Sequence, residues 1–155
     1  MPGKLFSMTA IILAGILAQP VWTASAQAQA QAGPAGRWTT IDDETGEPRS
    51  IVEIAEVNGE LQGRIVRIFL RPDEKPDPIC EKCEGALKDQ PVIGMTFLWG
   101  LEKGDDDWTG GAILDPKNGK IYNAKLSLDD EGRKLRVRGY IGTPLLGRTQ
   151  VWLRQ

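Results

Sequence analysis

From Ser50 to Phe69 the chain reads SIVEIAEV, then Asn58-Gly59, then ELQGRIVRIF. Two β-prone runs rich in Ile and Val meet at a dipeptide in which both residues tolerate positive φ. The stretch therefore predicts a hairpin closed by a two-residue turn. Similar runs recur on both sides, separated by Gly, Pro, Asn and Asp. They are Arg37 to Ile41, Val92 to Trp99, Trp108 to Leu114, Lys120 to Leu128, Lys134 to Ile141 and Arg148 to Arg154. With the hairpin they make eight short strands and no amphipathic helix. That pattern predicts an all-β fold, an eight-stranded antiparallel up-and-down barrel that hides its edges by closing on itself. A β-sandwich is the alternative by spacing.

Alternation assigns an inside. Leu135, Val137, Gly139 and Ile141 share one face of their strand, while Lys134, Arg136, Arg138 and Tyr140 share the other; in the neighbouring run Tyr122, Ala124, Leu126 and Leu128 form the apolar set. A barrel of such short strands has a narrow lumen, with room for one small ligand at most. One segment breaks the rhythm. Leu70 to Pro91 holds four of the prolines, both cysteines and no periodic apolar face. It predicts a long loop with one helical turn near Gly85 to Lys88, and a loop of that length is expected to be functional or covalently pinned.

The N-terminus has the layout of an export signal: Lys4, an apolar run from Met8 to Ala18, and Ala24-Ser25-Ala26 as a small-x-small cleavage pattern. The apolar run falls short of the ~20 residues a membrane span needs. The expected organisation is a signal peptide over 1–26, a flexible lead-in over 27–35 and a single barrel domain over 36–155, with cleavage after Ala26, Ala28 or Ala30. The expected location is periplasmic or secreted, with no stable membrane span once the signal is removed. Without Lys4 the chain carries 18 basic and 21 acidic residues, a net charge of −3. An acidic chain without an aromatic RNA-binding motif gives no reason to expect a nucleic-acid partner.

There is no histidine, which removes the usual general base, the usual zinc ligand and any His-based triad. Cys80 and Cys83 are the two cysteines. A zinc site would need two further ligands drawn from carboxylates. A redox pair would need a helix N-terminus to lower a thiol pKa, whereas Asp77, Glu81 and Glu84 crowd this one with negative charge. In an oxidising compartment the pair reads best as a disulfide that shapes the long loop. Asp105-Asp106-Asp107 lacks the spacing of a calcium loop. No metal, cofactor or catalytic residue is expected.

The candidate ligand-facing residues are Trp99, Trp108, Tyr122, Arg138 and Tyr140. Trp99 and Trp108 flank the acidic turn Lys103 to Asp107 and would rim a barrel mouth, unless they finish the core. Arg138, with Tyr140 beside it, would hold an anionic group at the mouth or on a partner surface, unless the row Lys134, Arg136, Arg138 is a solvated outer face. Gly36-Arg37-Trp38 at the first strand and Arg154 at the last resemble the ends of lipocalin-type barrels. In those barrels an arginine packs on the tryptophan and closes the ring, which makes Trp38 and Arg154 the expected closure pair.

A longer ordered series resembles the bacterial family of domain of unknown function 2147 (DUF2147). It comprises Gly36-x-Trp38, Cys80-x-x-Cys83, Pro91-Val92-Ile93-Gly94, Gly111 to Lys120 (GAILDPKNGK), Tyr122, Leu135 to Tyr140 (LRVRGY) and Leu146 to Gln150 followed by Trp152. The resemblance implies an exported lipocalin-like barrel and no defined activity. The functional expectation is a non-enzymatic binding module for a small hydrophobic or anionic ligand. The alternative is an envelope structural or interaction protein, with a protein partner for its outer surface and the Cys80–Cys83 loop.

Overall fold

The structure is a computed structural model that describes residues 33–155. The expected signal peptide, and residues 27–32 of the expected lead-in, lie outside the described residues. Eight strands follow one another: β1 (Gly36–Ile41), β2 (Pro48–Val57), β3 (Glu60–Ile68), β4 (Thr96–Lys103), β5 (Trp108–Asp115), β6 (Lys120–Asp129), β7 (Lys134–Tyr140) and β8 (Gly147–Arg154). Each pairs antiparallel with the next, and β8 returns to β1 through Trp38 opposite Arg154 and Thr39 opposite Leu153. The sheet is a closed barrel, which disposes of the sandwich alternative.

The Asn58-Gly59 hairpin forms as read. Val57 pairs with Glu60 across it, and both turn residues sit at positive φ, 54° and 85°. That geometry gives the turn the twist its strands need. The strand from Val92 to Trp99 is corrected: β4 starts at Thr96 and continues to Lys103. Val92 to Met95 is instead a tight turn, in which the Met95 N–H donates to Val92 O (3.2 Å) and the Gly94 N–H to Ile65 O (2.7 Å). Val92 and Met95 are buried all the same, so their apolar signal marks a plug against the core, which a strand pattern mimics. Gly100, at φ 70° inside β4, reads in sequence as a stop that the strand passes through.

Among the described residues the chain's two short helical pieces are 3-10 turns, Gly85–Leu87 and Asp130–Gly132. The first is the turn expected near Gly85 to Lys88. No helix among the described residues is long and apolar enough to cross a membrane.

Up-and-down topology puts the β1–β2, β3–β4, β5–β6 and β7–β8 connections at one end and the other turns at the opposite end. That opposite end is solid. Trp38, Leu98, Leu101, Leu126 and Leu135 have no exposed surface, and each such side chain contributes about 1.5–3 kcal/mol of burial as an upper estimate. The Arg154 guanidinium lies 4.1 Å from the Trp38 ring centroid. It donates to the carbonyls of Gly132 (2.6 Å), Ala35 (3.1 Å) and Gly33 (2.7 Å). The Trp38 indole N–H donates to Pro34 O at 2.8 Å. One cation thus ties the entering chain, the β6–β7 turn and the last strand together. Burial lowers its pKa from the ordinary arginine value.

Candidate functional site

The end bearing the four other connections is open. Inside it lies a cavity of about 700 Å³, within the 300–1,000 Å³ range of small-molecule sites. Its walls differ. β3 to β7 supply apolar surface from Ile65, Ile68, Phe97, Ile113 and Val137, and the Trp152 ring adds to it from β8. Between β8, β1 and β2 the wall is polar: Thr40 Oγ1 and Ser50 Oγ lie 2.7 Å apart. Beside them Gln150 accepts from the Trp152 indole at 3.3 Å. Gly139 faces the space from β7, and a side chain there would meet Ile113 at 3.5 Å and Tyr122 at 3.7 Å, ordinary contact distances. Its missing side chain is part of why side chains leave this space unfilled.

The β1–β2 turn organises the rim. Asp42, only 7% exposed, accepts from the backbone N–H groups of Glu44 (3.0 Å) and Thr45 (3.1 Å) and from the Thr45 hydroxyl (3.3 Å). It also pairs with Arg71 (2.6 Å) from the β3–β4 loop and with Lys117 (3.9 Å) from the β5–β6 turn. β5 lies four strands from β1 in either direction round the ring. The contact with Lys117 therefore crosses the mouth. Asp43 pairs with Arg148 at the start of β8 and accepts from Gln150 Nε2 at 2.8 Å. Two adjacent carboxylates so connect all four rim segments. The Thr45 N–H is the main cause that holds Asp42 below the ordinary carboxylate value; burial opposes it, and the Glu44 N–H, Arg71 and Lys117 add to it. Arg49 grips Glu74 with two hydrogen bonds of 2.7 Å. Those bonds, then the Arg71 N–H, lower the Glu74 pKa against burial.

The cysteine loop props this rim. Cys80 and Cys83 form a disulfide, and both are buried in the core cluster. The loop also has a small ladder that its sequence does not announce. Ile79 bridges Pro91, the Cys80 N–H donates to Gln90 O (2.9 Å) and the Val92 N–H donates to Pro78 O (2.9 Å). Its tip sits under the β5–β6 turn. Cys80 Sγ lies 3.6 Å from Pro116 O. A side chain on Gly119 (φ 72°) would stand 1.9 Å from Lys82 O, so only glycine fits. Gly119 belongs to the Asp115-Pro116-Lys117-Asn118-Gly119 turn that carries Lys117 to the mouth.

Of the ligand-facing candidates, Tyr122 and Tyr140 line the cavity, and the Tyr122 hydroxyl is 3.1 Å from Asn118 Nδ2. The other three are elsewhere. Trp108 begins β5 at the closed end, buried, with Lys103 Nζ 4.1 Å from its ring centroid. Trp99 is half-buried against the core and outside the cavity lining. Arg138 is spent on the β7–β8 turn, donating to Pro144 O (2.6 Å), Leu145 O (3.4 Å) and Thr149 Oγ1 (2.7 Å). It lines an outer groove with Lys125 and Arg136 and is not part of the cavity lining, so of its two expected placements the mouth is corrected and the outer surface is where it lies.

Thr40, Asp42, Ser50 and Gln150 are residues the sequence reading passed over. Their signal is period two from the core tryptophans, Trp38 to Thr40 to Asp42 and Trp152 to Gln150. Among the described residues no group of three or more His, Cys, Asp or Glu is arranged to hold a metal ion.

A solved structure described as "Protein HP1028 from the human pathogen Helicobacter pylori belongs to the lipocalin family" superposes with a TM-score of 0.68. It shares 21% identity over 80% of this chain and 84% of that one. At that identity the likeness establishes the fold, a lipocalin-like barrel. Curated proteins returned no match. The family described as "Uncharacterized protein conserved in bacteria (DUF2147)" matches residues 36–154, from the Gly36-Arg37-Trp38 opening through the buttressed turn to Arg154. The chain belongs to that family.

Proposed function

We propose that this protein is a non-enzymatic binding module of the bacterial envelope whose barrel cavity takes a small, partly apolar ligand. The observation that carries the reading is the cavity itself: about 700 Å³, with an apolar wall of Ile, Val, Phe and Trp beneath a polar, charged rim. A partly apolar hollow of that size forgoes the side-chain packing that a solid interior gains, which supports a role in holding a ligand. The rim cations that line it, Arg49, Lys117 and Arg148, each have a carboxylate partner. That supports an apolar cargo over an ionic one. Export rests on the leader-like N-terminus, and the mature chain is expected to begin near Gln27 in the envelope fraction.

Native mass spectrometry of protein purified from its own envelope fraction tests the reading. A reproducible added mass, lost on organic extraction, is expected. Protein that carries no added mass and gains none on incubation with apolar probes would contradict it.

A second reading, an envelope interaction protein, is favoured by the β7–β8 turn beside the mouth, where Leu145 and Leu146 are 89% and 73% exposed. The cysteine loop contributes less to it than expected, because its cysteines face inward. If this reading holds, Leu145→Ser, outside the cavity lining, abolishes in-envelope cross-linking and leaves probe binding intact.

A further inference from the structure

Besides its charged rim residues, the cavity has uncharged polar groups in its lining, among them the hydroxyls of Thr40 and Ser50. Thr40 sits near the end of β1, two residues before Asp42 of the β1–β2 turn. Its hydroxyl lies 2.7 Å from that of Ser50 and 3.5 Å from Ser50 O. Each hydroxyl can donate once and accept twice. The two hydroxyls satisfy one another and can rotate to meet either an acceptor or a donor. Beside the pair stands Gln150, whose amide is taken up by Trp152 and Asp43, and the facing lining is apolar: Ile65, Phe97 and Val137.

Charge at this depth has no counterpart. The lining carboxylates Asp42, Asp43, Glu44 and Asp115 outnumber the lining cations Arg49, Lys117 and Arg148, and those cations are already paired. An anionic head would enter past a carboxylate excess and lose its hydration without gaining a cation. A cationic head would have to leave water for two hydroxyls.

We infer that the Thr40–Ser50 hydroxyl pair is a head-group subsite that selects amphiphiles with an uncharged hydrogen-bonding end, such as an alcohol, ester or amide, over their charged counterparts. This rests on the reading of the cavity as a ligand site. The head docks on β1 and β2, and the apolar body lies against β3 to β7.

The test uses 1,6-diphenylhexatriene, an apolar fluorophore without hydrogen-bonding groups, as reporter of occupancy. Its displacement by 1-decanol, decanoate at pH 8 and decyltrimethylammonium is then compared. Decanol is expected to compete at least about 10-fold better than either ion. Thr40→Val and Ser50→Ala each keep the shape of the wall, and each should weaken decanol by about 3- to 10-fold. Diphenylhexatriene affinity should not fall in either variant, because each only makes the wall more apolar. Equal competition by decanol and decanoate, or decanol affinity unchanged in both variants, would overturn the subsite and leave the cavity reading standing. Absence of diphenylhexatriene binding to the wild type would remove both.

Discussion

Single residues decide how the mouth is held. Gly119 is the sharpest case, because its positive φ and the Lys82 carbonyl both exclude a side chain. Gly46, at φ 73° with open space around it, supplies the control. Gly46→Ala should show the conformational cost alone, about 1 kcal/mol. Gly119→Ala should cost about 3 kcal/mol, since the loop must also move. Urea unfolding of the two variants measures the difference, and equal losses would mean that the loop does not press on the turn. Asp42 sets a pH dependence. Its folded pKa is lowered from 3.8, so the unfolded state binds the proton more readily and stability rises with pH. The stabilisation is fully present above that ordinary value and is lost as pH falls through the lower folded one. Asp42→Asn should therefore be less stable than wild type at pH 6, with the gap shrinking by pH 3. A gap that does not change with pH would contradict the assignment.

At the scale of elements, the long β3–β4 connection acts as a strut. Its disulfide closes a very short ring, worth about 2 kcal/mol at best in the chain-entropy model. Its larger effect is to hold Cys80 and Lys82 under the β5–β6 turn. Replacing both cysteines with alanine should leave the barrel folded while amide exchange at Asn118 and Gly119 accelerates; their N–H groups bond to Asp115 O at 3.3 and 2.8 Å. Unchanged exchange there would show the strut to be idle. Strand identity was largely legible, because period-two patterning and turn residues are local signals. The loop's bridge between Ile79 and Pro91 was not, because it depends on packing against a distant turn. The start of β4 misled for the same reason: buried Val92 and Met95 look alike in a plug and in a strand. The mouth was legible only in part. Tyr122 follows from strand position. Tyr140 does not: alternation puts it on the outer face, and its place at the end of β7 brings it to the mouth. Arg138 is held away from the cavity by carbonyls of the β7–β8 turn, which leave no mark in a residue pattern.

The whole molecule is an asymmetric container. One end is filled by tryptophan and leucine and sealed by Arg154 on Trp38; the other stays hollow beneath a rim tied together by Asp42 and Asp43. Closure of the barrel could be read from the sequence because its ends carry the Gly36-x-Trp38 and Arg154 signals. The hollow could not, because volume is a property of eight strands at once, and Gly139 in isolation looks like any strand glycine. The measurement that tests the central claim most directly is equilibrium binding of diphenylhexatriene to the wild type and to Gly139→Leu. The new side chain would project into the cavity from a backbone position without strain. The account predicts saturable, one-to-one binding to the wild type and its loss in a variant that unfolds with undiminished cooperativity. Equal binding by both proteins, or by neither, would contradict the claim that this cavity holds a ligand.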